Sequence, residues 1–174
     1  MESLRQFDIS LTRLIQRWPN SFKPFISGLS MLGEPILVLA VGFSGYVSAI
    51  QRGHVQAQRA FLLGAIAYGL NTALKQLLHR RRPHNLNITN FGIKSYSFPS
   101  GHAFGTVIFY GLFSYLSIKY LSHPLNVLVA VGIWSLIFLI GVSRVYLKAH
   151  YPTDVVGGWI LGLISLYIIV MLAF

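Results

Sequence analysis

The sequence predicts an all-α fold, namely an integral membrane helix bundle of about five transmembrane helices preceded by an amphipathic N-terminal helix. The first observation is composition: 54% of the 174 residues are hydrophobic and only 10% are charged, whereas about a quarter of a soluble domain is charged. The second is that five segments approach the 20 or so apolar residues that cross a bilayer. The third is that most connections are short, so we expect residues 1–174 to form a single membrane-embedded domain.

The five apolar segments follow one another with one longer interruption. The predicted spans cover about residues 30–50, 60–78, 102–121, 125–142 and 155–174. Pro152 suits the first turn of the helix that carries the last span, because its fixed φ and missing N–H cost nothing there. The connection from His79 to Pro99 is the one that exceeds a short loop.

Residues 1–20 have a different pattern. Apolar side chains recur there at helical spacing, at Leu4, Phe7, Leu11, Leu14, Ile15 and Trp18. Charged and polar residues, Asp8 among them, occupy the other face. This pattern favours an amphipathic helix that lies on the membrane surface. A helix packed against the bundle is the alternative that periodicity leaves open.

The charge balance indicates a negatively charged partner. Fourteen Lys and Arg residues stand against four Asp and Glu, a net charge of +10. Such an excess favours an anionic lipid or a phosphorylated substrate. Nucleic acid is not expected, because the basic residues lie between long apolar runs. The absence of cysteine excludes a disulfide framework, Cys-ligated zinc and thiol catalysis.

The order of the spans brings three polar stretches to one face of the membrane. The second span ends near His79 and the third begins near His102, so these two ends share a face. The third and fourth spans then cross away and back, so their following connection returns to the same face. The stretches are Lys75–Pro83, Pro99–His102 and Ser143–Asp154.

These stretches contain the parts of a phosphate site. Lys75, Arg82 and Arg144 are cations, which suit the charge spread over a transferring phosphoryl group. Ser100 is a good N-cap, and Gly101 leaves the following helix start open, so its free N–H groups can face a phosphate. Taken singly, each feature has an ordinary explanation, either a basic residue at the membrane interface or a helix cap.

The histidines add reactive groups. His150 and Asp154 are four residues apart, so they share a face if the segment is helical. A carboxylate can hold an imidazole in one tautomer, which leaves the other ring nitrogen as a nucleophile or base. His102 adds a second titratable group. Two histidines and one aspartate could bind zinc, but the nearby cations repel a metal and magnesium needs clustered carboxylates. We therefore expect neither a metal nor a cofactor.

The three blocks together resemble the signature of the type 2 phosphatidic acid phosphatase (PAP2) superfamily of metal-independent membrane lipid phosphatases. That signature is Lys-x6-Arg-Pro, Pro-Ser-Gly-His and Ser-Arg-x5-His-x3-Asp. All three blocks are complete, in order and correctly spaced within themselves. They read Lys75…Arg82-Pro83, Pro99-Ser100-Gly101-His102 and Ser143-Arg144…His150…Asp154.

The resemblance implies a role for each matching residue. His150 corresponds to the nucleophile that forms a phosphohistidine, Asp154 to its orienting partner and His102 to the general acid. The residues that match the phosphate binders are Lys75, Arg82, Ser100, Gly101 and Arg144. The implied substrate is a membrane lipid phosphate or diphosphate, such as undecaprenyl diphosphate, phosphatidylglycerol phosphate, phosphatidic acid or lipid A phosphate.

Two alternatives to hydrolysis stay open. A lipid phosphotransferase would use the same phosphohistidine, and a lipid-binding or transport protein would use the cations alone. Outside the signature, Arg80 and Arg81 are interpreted as interfacial anchors, with contact to a larger headgroup as the alternative. Glu34, before Pro35, is interpreted as a helix-start cap or an interfacial group, with contact to a substrate lid as the alternative. The oligomeric state is not predicted.

The sequence gives conflicting indications of membrane orientation. Eleven basic residues fall on the face of the three blocks, against three (Arg52, Arg59 and Lys119) on the other. The positive-inside rule therefore puts the blocks in the cytoplasm. The resemblance instead implies an extracytoplasmic site in a bacterial inner membrane, and this is the arrangement we expect.

Overall fold

The computed structural model describes residues 2–83, 89–90 and 93–174. The helices are α1 (Glu2–Gln16), α2 (Lys23–Met31), α3 (Pro35–Gln51), α4 (Val55–Leu78), α5 (Gly101–Tyr120), α6 (Leu125–Tyr146) and α7 (Pro152–Ala173), with a 3-10 turn at Asn20–Phe22. Two-residue strands, β1 (Thr89–Asn90) and β2 (Ile93–Lys94), pair antiparallel between α4 and α5.

The predicted helical membrane bundle is confirmed, with one change in the first span. Among the described residues, α4, α5, α6 and α7 are long and apolar enough to cross a bilayer. The fifth candidate is a bent pair, Asn20–Met31 with Pro35–Gln51, at 43°. The first predicted span, about residues 30–50, thus begins later than its outer bound, because Pro35 lacks an N–H and begins α3 after the separate helix α2.

Helix α5 lies at the centre of the bundle and packs against α3, α4, α6 and α7. Its Val107, Ile108, Phe109 and Leu112 are all essentially inaccessible. This central helix is less apolar than α6 and α7. A helix enclosed by protein can carry polar groups such as Thr106, whose Oγ1 donates to the His102 carbonyl oxygen at 2.7 Å.

Small residues let α7 approach α5 closely. A Cβ added at Gly158 would lie 2.7 Å from the Ser100 carbonyl oxygen, and one at Gly162 would lie 2.8 Å from Val107 Cβ. Gly158 and Gly162, a small-xxx-small pair, therefore permit close packing of the two helices. The approach brings the two helix starts together, and Ser100 N donates to the Asp154 carbonyl oxygen at 2.9 Å.

Helix α1 is amphipathic as predicted, but it packs against α6 and α7. Asp8, which the pattern assigned to the polar outer face, is only 4% exposed. Its carboxylate accepts hydrogen bonds from Thr153 N at 2.9 Å and from Arg80 Nη2 at 2.8 Å. The packed-helix alternative is therefore the one that the structure adopts, while Leu4 and Leu14 leave an exposed apolar edge.

We expect Asp8→Asn to destabilise the protein by about 1–3 kcal/mol, because a buried N–H, a hydroxyl and a guanidinium lose their charged acceptor. The measurement is the free energy of unfolding in detergent. Glu2→Gln is the matched control, since it removes a carboxylate charge at an exposed position of the same helix. Equal stability of the two variants would contradict the anchoring role of Asp8.

Candidate active site

The three polar stretches meet at one end of the bundle, as the span order predicts. Lys75 is in the last turn of α4, His102 begins α5, Arg144 is in the last turn of α6, and Asp154 is in the first turn of α7. His150 lies in the connection between α6 and α7. All five side chains are buried.

Asp154 and His150 form a buried pair. Asp154 Oδ2 lies 3.5 Å from His150 Nδ1. The same oxygen accepts hydrogen bonds from Ser97 Oγ at 2.5 Å and from Tyr151 N at 2.8 Å. These donors hold the carboxylate beside Nδ1, so the opposite nitrogen of the imidazole, Nε2, points away from Asp154.

Arg82 faces that opposite nitrogen. Its Nη1 lies 3.1 Å from His150 Nε2 and also donates to the Ala149 carbonyl oxygen at 2.9 Å. Its Nε donates to the Ser95 carbonyl oxygen at 2.9 Å. Because a guanidinium only donates, Nε2 must be the acceptor in this contact. The ring is therefore neutral, with its proton on Nδ1 beside Asp154 and a lone pair on Nε2.

Electrostatics favour the same protonation state. Burial lowers the pKa of His150 well below its ordinary value, and the charges of Arg82, Lys75, Arg144 and His102 lower that pKa further. The imidazole is thus unprotonated at neutral pH. An unprotonated ring nitrogen surrounded by cations is suited to attack an anionic electrophile.

Lys75 faces the start of α5. It is 5% exposed, and its Nζ donates to the Tyr96 carbonyl oxygen at 3.2 Å. A Cβ at Gly101 would lie 4.0 Å from Nζ, so there is room between the lysine and the helix start. Ser100 caps this helix, since its hydroxyl oxygen accepts from Ala103 N. The ammonium and the α5 terminus together offer positive charge to an anion.

His102 has a carboxylate partner that the sequence did not indicate. Glu34 Oε1 lies 3.2 Å from His102 Nε2 and 4.0 Å from Arg144 Nη1. Glu34 does precede the first residue of α3, but its side chain makes no capping hydrogen bond. Glu34 therefore occupies the N-cap position, as interpreted, but its side chain contacts His102 and Arg144 instead of the helix start. Arg144 also donates to Ser30 Oγ.

Arg80 makes ion pairs that the interpretation as an interfacial anchor did not include. Its Nη1 donates to Asp154 Oδ1 at 2.6 Å and its Nη2 to Asp8 Oδ2 at 2.8 Å. It therefore joins α1 to the carboxylate beside His150. Arg81 is exposed, which is compatible with the anchor interpretation. Within the described residues, no group of three or more His, Asp or Glu side chains is placed to hold a metal.

Sequence reasoning missed Ser97, Glu34, Arg80 and Asp8 as parts of this site. Ser97, which is fully buried, belongs to none of the three blocks. The scarcity of acids was an available signal for Asp8 and Glu34. With four carboxylates against fourteen Lys and Arg residues, each carboxylate had many basic residues with which to pair.

The fold and the site define a class, that of helical membrane proteins with a buried cationic cluster around a histidine–aspartate pair. Residues 57–174 match the PAP2 superfamily. This match covers more than half of the chain, which therefore belongs to the PAP2 superfamily. The three signature blocks lie within the matched residues.

Solved structures and curated relatives agree with this assignment. The transmembrane PAP2-type phosphatidylglycerolphosphate phosphatase from Bacillus subtilis matches with a TM-score of 0.80 and 25% identity, over 97% of this chain and 85% of that one. LpxE of Aquifex aeolicus matches with a TM-score of 0.69 and 23% identity, over 94% of both chains, and shows the fold alone.

Two curated relatives are named phosphatases. Phosphatidylglycerophosphatase B of Bacillus subtilis is 36% identical over 104 residues, which are 58% of this chain and 49% of that protein. Lipid A 1-phosphatase of Rhizobium etli is 29% identical over 145 residues, 73% of this chain and 58% of that protein. The chain thus spans about half the length of the curated relatives that it matches.

The lowered pKa of His150 predicts a pH dependence of stability. Below about pH 6.5 the unfolded state takes up a proton at this histidine and the native state does not. The free energy of unfolding should therefore fall as the pH falls, by about 2 kcal/mol from this residue between pH 6.5 and 5. We expect His150→Asn to lose less stability over that range, with the exposed His123→Asn as control. Parallel curves for His150→Asn and the unchanged protein would contradict this prediction.

Proposed function

We propose that this protein is a metal-independent phosphatase that hydrolyses a membrane lipid phosphate or diphosphate through a phosphohistidine. The observation that carries the proposal is the environment of His150. Its Nε2 is an acceptor facing Arg82, its Nδ1 lies beside Asp154, and both ring and carboxylate are buried. A protein that merely bound or transported lipid would not need the His150–Asp154 pair.

In the first step the site holds the phosphoryl group and His150 attacks it. Lys75, Arg82 and Arg144 neutralise the charge on its oxygens, with the Ser100–Gly101 helix start contributing N–H groups. The lone pair of Nε2 forms a bond to phosphorus, and the bond to the bridging oxygen breaks. Asp154 stabilises the imidazolium that results. His102 donates a proton to an alkoxide leaving group.

In the second step water replaces the histidine. As the water oxygen bonds to phosphorus, the phosphorus–nitrogen bond breaks and its electron pair returns to Nε2. His102 accepts a proton from the water, since it is neutral after protonating an alkoxide, or neutral from the start of the cycle when the leaving group is a phosphate. Inorganic phosphate leaves and both histidines are ready for another cycle. Neither step uses a metal ion.

The location of the site supports a lipid as the substrate. The cationic cluster lies at one end of the bundle of candidate membrane spans, where a headgroup would meet it. The named relatives act on a phosphatidylglycerol phosphate and on the 1-phosphate of lipid A. The substrates to be tested are these two, phosphatidic acid and undecaprenyl diphosphate.

We expect His150→Ala to reduce phosphate release from these lipids at least about a thousandfold, because the nucleophile is lost. The measurement is phosphate release in detergent containing EDTA. His123→Ala is the control, since His123 is an exposed histidine in the connection between α5 and α6. Unchanged release by His150→Ala would refute the mechanism. Repeating the assay with an acceptor lipid distinguishes hydrolysis from transfer, because a phosphotransferase would phosphorylate the acceptor.

We further propose that the site faces the extracytoplasmic side of a bacterial inner membrane. The supporting argument is that basic residues held for phosphate binding weaken the positive-inside rule at this face. The chain has no native cysteine, so single cysteines can be labelled without background. A membrane-impermeant maleimide should label Arg81→Cys in intact cells and Ser122→Cys only after permeabilisation. Labelling of Ser122→Cys alone would place the site in the cytoplasm.

A further inference from the structure

We infer that this site prefers lipid phosphomonoesters to lipid diphosphates, and that Glu34 is the positioning residue that sets this preference. The inference rests on the phosphatase function proposed above and narrows its substrate class. It depends on the carboxylate placed against His102 and on what that carboxylate does to the two kinds of leaving group.

Glu34 is at the bend between α2 and α3, and its carboxylate turns toward the site. Oε1 is 3.2 Å from His102 Nε2 and 4.0 Å from Arg144 Nη1. The side chain of Glu34 is 51% exposed, whereas that of His102 is 8% exposed. The carboxylate therefore lies at the open side of the site, next to the histidine proposed as the general acid.

Packing holds the bend in place. A Cβ at Gly33 would lie 2.9 Å from His102 Cδ2 and 2.6 Å from Ile140 Cγ2, so only glycine lets the bend approach the imidazole this closely. The Tyr110 hydroxyl donates to the Leu32 carbonyl oxygen at 2.5 Å, which ties the bend to α5. The contact between Glu34 and His102 is thus a consequence of how α3 and α5 pack.

The other carboxylates are accounted for elsewhere. Asp8 and Asp154 both accept hydrogen bonds from Arg80, and Glu2 is exposed at the start of α1. Of the four carboxylates in the sequence, Glu34 is thus the one that contacts His102. A leaving group that His102 protonates would therefore lie near this one negative charge, which Arg144 offsets only from 4.0 Å.

A phosphomonoester benefits from this arrangement. When Nε2 of His150 bonds to phosphorus, the electron pair of the breaking bond goes to the ester oxygen, and an alkoxide is too basic to leave without a proton. When His102 is protonated, its imidazolium has two N–H groups. Glu34 accepts one of them and stabilises the cation, which leaves the other to protonate the oxygen. The products of the step are an alcohol and a neutral His102.

Hydrolysis of a diphosphate gains no such assistance from Glu34. Its leaving group is a lipid monophosphate, whose oxygen is a much weaker base and can leave without a proton. That group also brings its own negative charges to the side of the site where the Glu34 carboxylate stands. Repulsion between like charges in a partly desolvated site disfavours this substrate. The Glu34 carboxylate therefore assists hydrolysis of a phosphomonoester and disfavours hydrolysis of a diphosphate.

The test compares two lipids with the same acyl chains, dioleoyl phosphatidic acid and dioleoylglycerol diphosphate, by initial rates in detergent with EDTA. The unchanged protein should have the higher kcat/KM on the monoester. Glu34→Gln should lower kcat on the monoester at least tenfold and leave the diphosphate rate unchanged or raised, so the ratio falls at least tenfold. Glu2→Gln, the same substitution at an exposed position, should leave the ratio unchanged.

Glu34→Asp keeps the charge and should retain more of the monoester preference than Glu34→Gln does, a rescue that a purely structural role would not produce. A preference of the unchanged protein for the diphosphate would overturn the inference and leave the phosphatase function intact. An equal loss of monoester and diphosphate hydrolysis in Glu34→Gln would also overturn the inference and leave the phosphatase function intact. Failure of the unchanged protein to hydrolyse either lipid would instead count against the proposed function itself.

Discussion

The burial of the Asp154 carboxylate is the constraint on which the architecture of the site depends. A buried carboxylate is costly unless donors surround it. Here the donors come from three places in the chain: Ser97 before α5, the Tyr151 N–H before α7, and Arg80 after α4. To supply hydrogen-bond donors to the Asp154 carboxylate, the segments after α4, before α5 and before α7 must thus come together at one end of the bundle. Arg80 extends the requirement to α1 through Asp8.

The second feature is an excess of positive charge that the protein balances only in part. Arg82 and Lys75 donate to backbone carbonyl oxygens, and Arg144 lies near Glu34. The carbonyl dipoles and the half-exposed Glu34 carboxylate therefore neutralise only part of the positive charge of Lys75, Arg82 and Arg144. Such a cluster attracts an anion, and it adds to the larger effect of burial in keeping His150 neutral.

The sequence was informative wherever the relevant information is local. The apolar spans and the Ser100 cap each depend on a few neighbouring residues, and so does the closeness of His150 to Asp154, although His150 precedes α7 and is not part of a helix. It was uninformative about contacts between distant residues. Arg80 pairs with a residue 72 positions away, and His102 pairs with Glu34 across 68 positions. No spacing in the sequence marks either pair. Glu34 was therefore interpreted as a helix-start cap and Arg80 as an interfacial anchor.

The sequence by itself determined that the protein is a helical membrane bundle and which three polar stretches share a face. Hydrophobic length sets the spans, and their order sets which ends coincide. Only the tertiary structure decided how the charges pair. It buried Asp8, gave His102 a carboxylate and bent the first span at Pro35, because these outcomes depend on which helices approach one another. The close packing that glycines such as Gly33 and Gly158 permit sets those approaches.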